Sequence, residues 1–434
     1  MARPPIKGKR LFKLASMTAS VAGGFARSKV KTLLSSKESQ EEEARRFRVE
    51  SGQRIAETLG ELKGAAMKVG QFASAAKDLF PPEVADALSK LQKEAPPMEY
   101  EVIEEQIHKE LGDAPEVLFQ RFEREPFAAA SVGQVHRATT DDGREVVVKV
   151  QYPGVDGAVD SDLNQVRMAL RFGGLVNVPK DMLDAFFDEL RERLHEELDY
   201  CNEADNVRKF RKFHKRHDKI IVPDVVGERS SQRVLTMTYE AGEHFDALSA
   251  PDTPQALRDE IGSHLCEMIV SQVFDLGAIH GDPNPANFAF RRDGRLVMYD
   301  LGCVKILKPD IIDAIRDLLV AARIKDCAGL DDAMIALGPL RPEAAPVPPD
   351  FYGKWMDAIA PPLWQPGNYD FGDTTIGEDV IKLIPTTMRH ANWWQPAPEL
   401  AILDRMVAGH YDNARAMKAR VPTRDFMERY MPPA

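Results

Sequence analysis

The chain has 434 residues, of which 44% are apolar and 29% charged, and its formal net charge is -11. This length exceeds one average domain, and the apolar fraction is sufficient for a large buried core. The acidic balance argues against general nucleic-acid binding, the four cysteines lack metal-ligand spacing, and no uncharged apolar run reaches the ~18–20 residues of a bilayer span. We therefore expect reduced thiols in a cytosol-like compartment.

The first 36 residues differ from the rest because they contain eight Lys or Arg and no acidic residue. An uncharged stretch, Leu14–Ala26, lies between the basic clusters and is too short to span a bilayer. Three interpretations stay open: a flexible solvated tail, a segment attracted to an anionic membrane surface, and a cleaved presequence. The corresponding locations are the cytoplasm, the periphery of a membrane and, with a presequence, the mitochondrial matrix.

Residues 37–122 are predicted to form a helical extension. Apolar residues recur at helical spacing from Thr58 to Ala73, and prolines at 81–82 end that helix. Further helices are predicted at about Glu83–Lys93 and at Glu101–Leu111.

Residues 123–240 are predicted to form a small β-rich lobe with inserted helices. Phe127–His136 is expected to be one strand, and Asp141-Asp142-Gly143 is the predicted turn that precedes a second strand, Glu145–Val150. The later elements of this lobe are predicted at 159–214 (helical) and at Ile220–Val226 and Arg233–Tyr239 (strands).

Residues 241–434 are predicted to form a helical lobe. One long helix, Gln255–Leu276, leads to a loop at His280–Phe288, and a hairpin with its turn at Asp293-Gly294 follows. The next helix is expected to begin at Asp310. The whole chain is therefore expected to have an α+β fold, ordered as helical extension, β-rich lobe and helical lobe.

The strongest chemical signal is His280-Gly-Asp-Pro-Asn-Pro-Ala-Asn-Phe288, which we call the site loop, followed by Asp300-Leu-Gly302. The spacing of Asp282, Asn287 and Asp300 is that of a kinase-type phosphoryl-transfer site. There the first Asp faces the attacking hydroxyl, while the Asn and the second Asp hold Mg²⁺ against the nucleotide phosphates. The pattern indicates a nucleotide-using enzyme or an inactive relative of one.

Lys149 lies near the end of a valine-rich strand and is expected to reach the α- and β-phosphates. It needs a carboxylate partner, and five acids crowd the next helical segment. They are Glu196, Glu197, Asp199, Glu203 and Asp205. Asp199 and Glu203 are four apart and share one face of a straight helix, whereas Glu197 and Asp199 do not. These residues alone do not decide which acid is the partner, or whether the cluster is a solvated face.

Two further segments are expected to contact the nucleotide. The Ala-rich loop, Ala128–Ser131, stands where kinases use glycines, and it should be stiffer because alanine avoids positive φ. The segment Met237–Glu240 lies where a linker between lobes would offer backbone groups to adenine. The candidate nucleotide-binding residues are Lys149, Ala128, Ala129, Ala130, Ser131, Met237, Tyr239 and Glu240.

Two features bear on the substrate. A helix begins about ten residues after Asp300, without the Ala-Pro-Glu motif and long segment on which protein kinases dock peptides. This argues against a protein substrate. In the extension, Lys68 and Gln71 share one helix face, and Gly70 between them costs about 1 kcal/mol relative to Ala, which indicates close packing.

These motifs resemble the UbiB/AarF family of atypical kinases, which is linked to ubiquinone biosynthesis. The resemblance runs from about Gly60 to Lys325, and weakly further through Leu403–Gly409. The matching features are Lys68-x-Gly-Gln71, the Ala-rich loop, Glu197-x-Asp199, Glu203 as the partner of Lys149, and the trio Asp282, Asn287 and Asp300. Two positions depart from the family pattern, Asn284 and Ala286, and neither removes an acidic or metal-binding group.

The resemblance implies an atypical protein-kinase-like fold with two lobes, in which the helical extension packs over the active site. Lys68 and Gln71 would meet Glu197 and Asp199 and gate the pocket. Asp282, Lys149 and Glu203 would be catalytic, ATP or ADP and Mg²⁺ would be the cofactors, and Asn287 and Asp300 would bind the metal. The implied partners are a lipid or quinone precursor, a membrane surface and a biosynthetic protein complex.

The expected function is therefore Mg²⁺-dependent ATP binding and hydrolysis coupled to lipid or quinone-precursor handling. Two alternatives stay open. A small-molecule phosphotransferase of the aminoglycoside or choline kinase kind shares the His-Gly-Asp loop and the short segment after Asp300. A non-enzymatic nucleotide-binding scaffold would need the metal site and not Asp282.

Overall fold

The computed structural model describes residues 7–32, 37–62, 81–89, 97–130, 132–157, 159–172, 175, 180–216 and 218–431. The chain divides into two compact units, one of Met1–Asp205 with Asp224–Tyr239 and one of Asn206–Pro223 with Glu240–Ala434. Within the described ranges, no helix has both the length and the apolar character that crossing a membrane requires. The four cysteines, all described, form no disulfide.

Helices make up most of both units. In the first unit they are Lys7–Thr32, Lys37–Leu62, Pro82–Ser89, Tyr100–Leu111, Pro115–Leu118, Val159–Phe172 and Lys180–Glu197. The helix Tyr200–His214 contributes residues to both units. In the second unit they are Gln255–Ser271, Pro309–Ile324, Cys327–Leu337, Pro349–Ile359, Pro361–Trp364, Ile376–Arg389, Pro398–Ala416 and Thr423–Glu428.

The strands are short. In chain order they are β1 Arg121–Phe122, β2 Ala128–Ala130, β3 Gly133–Thr139, β4 Glu145–Gln151, β5 Ile220–Ile221, β6 Val234–Thr238, β7 Glu243–His244, β8 Ala278–His280, β9 Phe288–Phe290, β10 Leu296–Met298, β11 Val304–Ile306, β12 Tyr369–Asp370 and β13 Arg420–Val421.

The first unit is built on an antiparallel sheet of order β1-β3-β4-β6, with β2 paired to β3. In β4, Val146, Val148 and Val150 are fully buried. Because side chains alternate along a strand, Lys149 points to the opposite face of the sheet. The predicted turn at Asp141-Asp142-Gly143 is confirmed: Gly143 has φ +82° there, between the paired strands β3 and β4.

The prediction of a single strand over Phe127–His136 is wrong. The segment is a tight hairpin in which Ala128 of β2 lies opposite Val135 of β3, and Ala130 lies opposite Gly133. On the other side of β3, Gly133 passes close to β4: a Cβ at Gly133 would lie 2.2 Å from the Val150 carbonyl oxygen. Gly133 thus serves strand packing.

The described part of residues 1–36 is the helix Lys7–Thr32, which packs against the helices Lys37–Leu62 and Val159–Phe172. Its apolar stripe, Leu14, Met17 and Val21, is buried. Burial of such a stripe is the main source of stability for a helix in a globular unit.

The second unit contains a mixed sheet of order β5-β10-β9-β7 and the two-stranded ribbons β8–β11 and β12–β13. The predicted hairpin around Asp293-Gly294 is confirmed: β9 and β10 pair antiparallel, and Gly294 has φ +86°. The strand predicted at Ile220–Val226 stops at Ile221. Pro223, two residues further on, has no backbone N–H to donate to a ladder.

The helix predicted over Gln255–Leu276 is α-helical only to Ser271 and then widens into a π-turn, Gln272–Leu276. Gly277, with φ +62°, ends it. The Gln272 side chain is buried and its Oε1 accepts a hydrogen bond of 3.0 Å from the His280 backbone N–H. The π-turn therefore positions a side chain that holds the start of the site loop, as such turns often do at functional sites.

Candidate active site

The site loop begins at the end of a two-stranded ribbon. His280, the last residue of β8, lies opposite Val304 of β11, and the Gly281 N–H donates to the Cys303 carbonyl at 2.8 Å. Asp282, the next residue, is half-buried. The backbone just before Asp282 is therefore held by the β8–β11 ribbon. This limits the directions in which the Asp282 carboxylate can point.

The β9–β10 hairpin brings Asn287 and Asp300 to the same end of the hairpin. Asn287 precedes β9 and Asp300 follows β10, and the Tyr299 N–H donates to the Asn287 carbonyl at 2.9 Å. The Asn287 side-chain amide donates to the Asp282 Oδ2 at 3.1 Å. The Oδ1 of Asp300 accepts the Gly302 N–H at 2.9 Å. The sequence separation of 13 residues is therefore closed by a hairpin.

These residues fit Mg²⁺. The Asn287 amide nitrogen is directed to Asp282, so its oxygen is the atom that remains to ligate a cation, beside the Asp300 carboxylate. Mg²⁺ is typically held by one or two protein carboxylates together with substrate phosphates and water. No group of three or more His, Cys, Asp or Glu arranged for a metal occurs in the described part of the chain.

Two buried histidines contact Phe288, the last residue of the site loop: His280, which begins the loop, and His410. The rings of His280 and His410 each pack edge-on against Phe288, with centroids 5.4 and 5.2 Å away. Burial lowers the pKa of His280, while the Asp282 and Asp300 carboxylates act in the opposite direction. Burial, helped by His280, lowers the pKa of His410 to about 3. Both rings are therefore neutral at pH 7.

We expect His410 to make the protein less stable in mild acid. Its folded pKa of about 3 lies below the ordinary value of 6.5, so the unfolded chain binds the proton more readily as pH falls. The contribution of His410 to the free energy of unfolding is then fully present above pH ~6.5. It declines towards pH ~3, and about 2 kcal/mol is lost at pH 5. Urea unfolding at pH 7 and pH 5 should show about 2 kcal/mol less acid loss for His410→Phe than for the wild type. Equal losses would contradict this.

In the first unit, Lys149 and Glu203 form a buried ion pair. The Lys149 Nζ lies 2.9 and 2.8 Å from the two Glu203 carboxylate oxygens. The exposed fractions of the two side chains are 12% and 1%. The Lys149 ammonium also lies 5.0 Å from the centroid of the Tyr200 ring, a cation–π distance. This set holds the lysine in one direction, as phosphate binding would require.

The neighbouring acids are not on one straight helix: the break separates Glu197 from Asp199, whereas Asp199 and Glu203 stay together at the start of the second helix, where the Glu203 N–H donates to the Asp199 carbonyl at 3.0 Å. One helix ends at Glu197 and the next begins at Tyr200. The Asp199 Oδ1 accepts the N–H groups of Cys201 and Asn202 at 3.1 Å each, so this residue caps the new helix. An Asx cap competes with continuation of the first helix, which is the physical reason for the break.

The Ala-rich loop is extended. Ala128 and Ala129 are exposed in β2, and Ala130 ends that strand. No residue of the described part of this loop has positive φ. The predicted role of these alanines over the phosphates stays a prediction, and Ser131 lies outside the described residues.

The predicted adenine-binding segment has some of its backbone groups occupied. Met237 is buried within β6, and the Tyr239 N–H donates to the Glu145 carbonyl at 2.9 Å. In the second unit, the Glu240 carbonyl accepts the Tyr299 hydroxyl at 2.9 Å, and the Glu240 carboxylate pairs with Arg291. Their contact with a nucleotide stays a prediction.

The predicted residues thus fall into two groups. The structure brings Lys149 and Glu203 together in the first unit, and Asp282, Asn287 and Asp300 together in the second. Lys68 and Gln71 lie outside the described residues. Sequence reasoning missed Gln272, Arg405 and Asn413, all of which bind the backbone of the site loop. The only available signal was the weak family likeness at Leu403–Gly409, which pointed to no contact.

Comparisons with known proteins identify atypical kinases as similar to this chain. Residues 90–334 match the family model described as the ABC1 atypical kinase-like domain. The chain is 32% identical over 375 residues to the atypical kinase coq-8, mitochondrial, of Caenorhabditis elegans, covering 85% of this chain and 49% of that protein. It is 33% identical over 288 residues to the atypical kinase COQ8, mitochondrial, of Saccharomyces cerevisiae, covering 66% and 57%. The chain spans about half the length of these curated relatives.

Among solved structures, the chain is similar to Rv3197 of Mycobacterium tuberculosis, which was solved in complex with erythromycin. The sequence identity is 30% and the TM-score 0.61, with 86% of this chain and 94% of that chain covered. The likeness thus extends over nearly the whole of a solved relative.

Proposed function

Since the chain belongs to the ABC1 atypical kinase-like family, we propose that it is a Mg²⁺-dependent ATP-binding enzyme that hydrolyses ATP. We further propose that hydrolysis is coupled to the handling of a lipid or quinone precursor at a membrane surface. Peripheral attachment through the basic N-terminal segment fits the absence of an apolar spanning helix among the described residues. Two relatives are named as mitochondrial. We propose the mitochondrial matrix as the location of this protein in the case that its basic N-terminal segment is a presequence.

In this mechanism Lys149, oriented by Glu203, would bind the α- and β-phosphates, and Asn287 and Asp300 would hold the metal. Mg²⁺, when bound, would neutralise charge that develops on the transferred phosphoryl oxygens. Asp282 orients the attacking water and accepts its proton at a carboxylate oxygen, and the Asn287 amide holds that carboxylate in direction at 3.1 Å. Lys68 and Gln71 would gate the pocket together with Glu197 and Asp199.

The observation that carries the proposal is the joint placement of Asp282, Asn287 and Asp300 by the ribbon and the hairpin. A carboxylate for the nucleophile and two oxygen ligands for a metal meet the needs of phosphoryl transfer with few other groups. The short connection from Asp300 to the helix at Pro309 supports a non-peptide acceptor, as does a relative solved with erythromycin.

The test is phosphate release from Mg-ATP by the purified protein. It would be measured with and without vesicles of anionic lipid that contain a phenolic quinone-precursor mimic, and Asp300→Asn would serve as the blank. We expect release that rises with the vesicles and is absent in the blank. Release in neither condition would overturn the ATPase proposal. Transfer of labelled phosphate to the phenol would instead support the small-molecule phosphotransferase.

A further inference from the structure

One face of the helix Pro398–Ala416, which we call the brace helix, lies against the site loop. Three of its residues, Arg405, Gly409 and Asn413, are spaced four apart, so they follow one another along a single helix face. This helix begins more than sixty residues after the region matched by the family model, which ends at 334.

The brace helix holds the carbonyls of the two residues on either side of Asp282. The Arg405 Nη2 donates to the Gly281 carbonyl at 2.5 Å, and the Asn413 Nδ2 donates to the Pro283 carbonyl at 2.9 Å. The first bond is charge-assisted, and such bonds are stronger than neutral ones. Asp282 and Pro283 therefore lie between two tethered peptide groups.

Gly409 allows this close approach. A Cβ at this position would lie 2.2 Å from the Cγ and 2.6 Å from the Cβ of Pro283. Both distances are far below ordinary van der Waals contact, and a proline ring on a tethered loop has little freedom to move away. Any side chain at 409 would therefore displace the loop or the helix.

We propose that Arg405, Gly409 and Asn413 are positioning residues that set the backbone of Asp282 for turnover. This rests on the proposed function, since it assigns to these residues the orientation of the group that accepts the proton. The brace contacts the loop through two backbone carbonyls and the Pro283 ring. It should therefore govern the turnover number far more than the binding of ATP.

The expected size follows from geometry. A displacement of about 1 Å in a reacting group can lower the rate about 100-fold. We expect Arg405→Met to lower kcat about 10- to 100-fold with KM for Mg-ATP changed less than about three-fold. Arg405→Lys, which keeps a charged donor of shorter reach, should recover part of this loss. Gly409→Ala should match Arg405→Met.

Matched controls come from the same protein. Arg415 is exposed on the brace helix, and Arg415→Met should leave kcat unchanged. Gly353 is a helical glycine whose added Cβ would meet nothing within 4 Å, so Gly353→Ala should also be neutral. A thermal unfolding midpoint for each variant separates loss of the fold from loss of position.

The second readout does not depend on activity. Amide hydrogen exchange in the segment 281–287 should be at least about ten-fold faster in Arg405→Met and Gly409→Ala than in the wild type and the two controls. Faster exchange together with a fall in kcat supports the brace. Unchanged exchange or an unchanged kcat in an active wild type overturns it. If the wild type lacks ATP turnover, the proposed function fails, and unchanged exchange would still reject the brace by itself.

Discussion

Replacement of Asp282 by Asn is expected to lower the turnover number of ATP hydrolysis about 10²- to 10⁴-fold, the range typical of a lost general base. The substitution keeps the size of the side chain and a hydrogen-bonding oxygen, so the Asn287 amide at 3.1 Å retains a partner. ATP affinity should change little, because the proposed metal ligands and Lys149 are untouched. Steady-state phosphate release and equilibrium titration with a fluorescent ATP analogue measure the two quantities.

The matched control is Asp293→Asn, which alters an exposed carboxylate at the turn of the β9–β10 hairpin. It should leave turnover within about two-fold, as surface substitutions away from special features usually have small effects. If Asp282→Asn supported full cellular function while Asp300→Asn abolished it, the enzyme proposal would give way to a nucleotide-binding scaffold.

Replacement of Lys149 by Met is expected to lower the free energy of unfolding by about 3–5 kcal/mol, besides weakening ATP binding. The reason is the burial of Glu203: with 1% of its side chain exposed, the carboxylate would lose its counter-charge in a low-dielectric site. Urea unfolding followed by circular dichroism measures the change. The double substitution Lys149→Met with Glu203→Leu should recover most of the stability, because the uncompensated charge is gone, but not the ATP binding.

Lys382 supplies the contrast. It pairs with Asp379 at 2.8 Å, but the exposed fractions of these side chains are 68% and 36%. Lys382→Met should have a far smaller effect on the free energy of unfolding than Lys149→Met, because exposed pairs contribute little. Similar losses for Lys149→Met and Lys382→Met would mean that burial does not set the cost, contrary to the prediction.

The α+β, kinase-like fold and the family were predicted from the sequence, and both are confirmed. Local patterns sufficed for elements whose signals are short-range. Gly143 and Gly294 adopt positive φ at the predicted turns, and the helix expected at Asp310 begins at Pro309. The roles of Asp282, Asn287, Asp300 and Lys149 stay predictions that the experiments above test.

Local patterns failed where two signals competed. The apolar run Phe127–His136 fits one strand, but the segment folds back on itself so that β2 pairs with β3, with Ala128 opposite Val135. Asp199 fits a helix interior by spacing, and only its hydrogen bonds to two backbone N–H groups identify it as a cap. Hydrophobic period and charge spacing carry no information about such contacts.

By itself the sequence determined which functional groups are present: the residue types and spacings of a phosphoryl-transfer site, and a strand lysine with several candidate acids. Tertiary structure decided which groups meet. Glu203 is the acid that pairs with Lys149, since both of its carboxylate oxygens lie within 2.9 Å of the Lys149 Nζ. The Gly281 carbonyl binds Arg405 across 124 residues. Such a contact depends on the packing of a distant helix, and no local pattern encodes it.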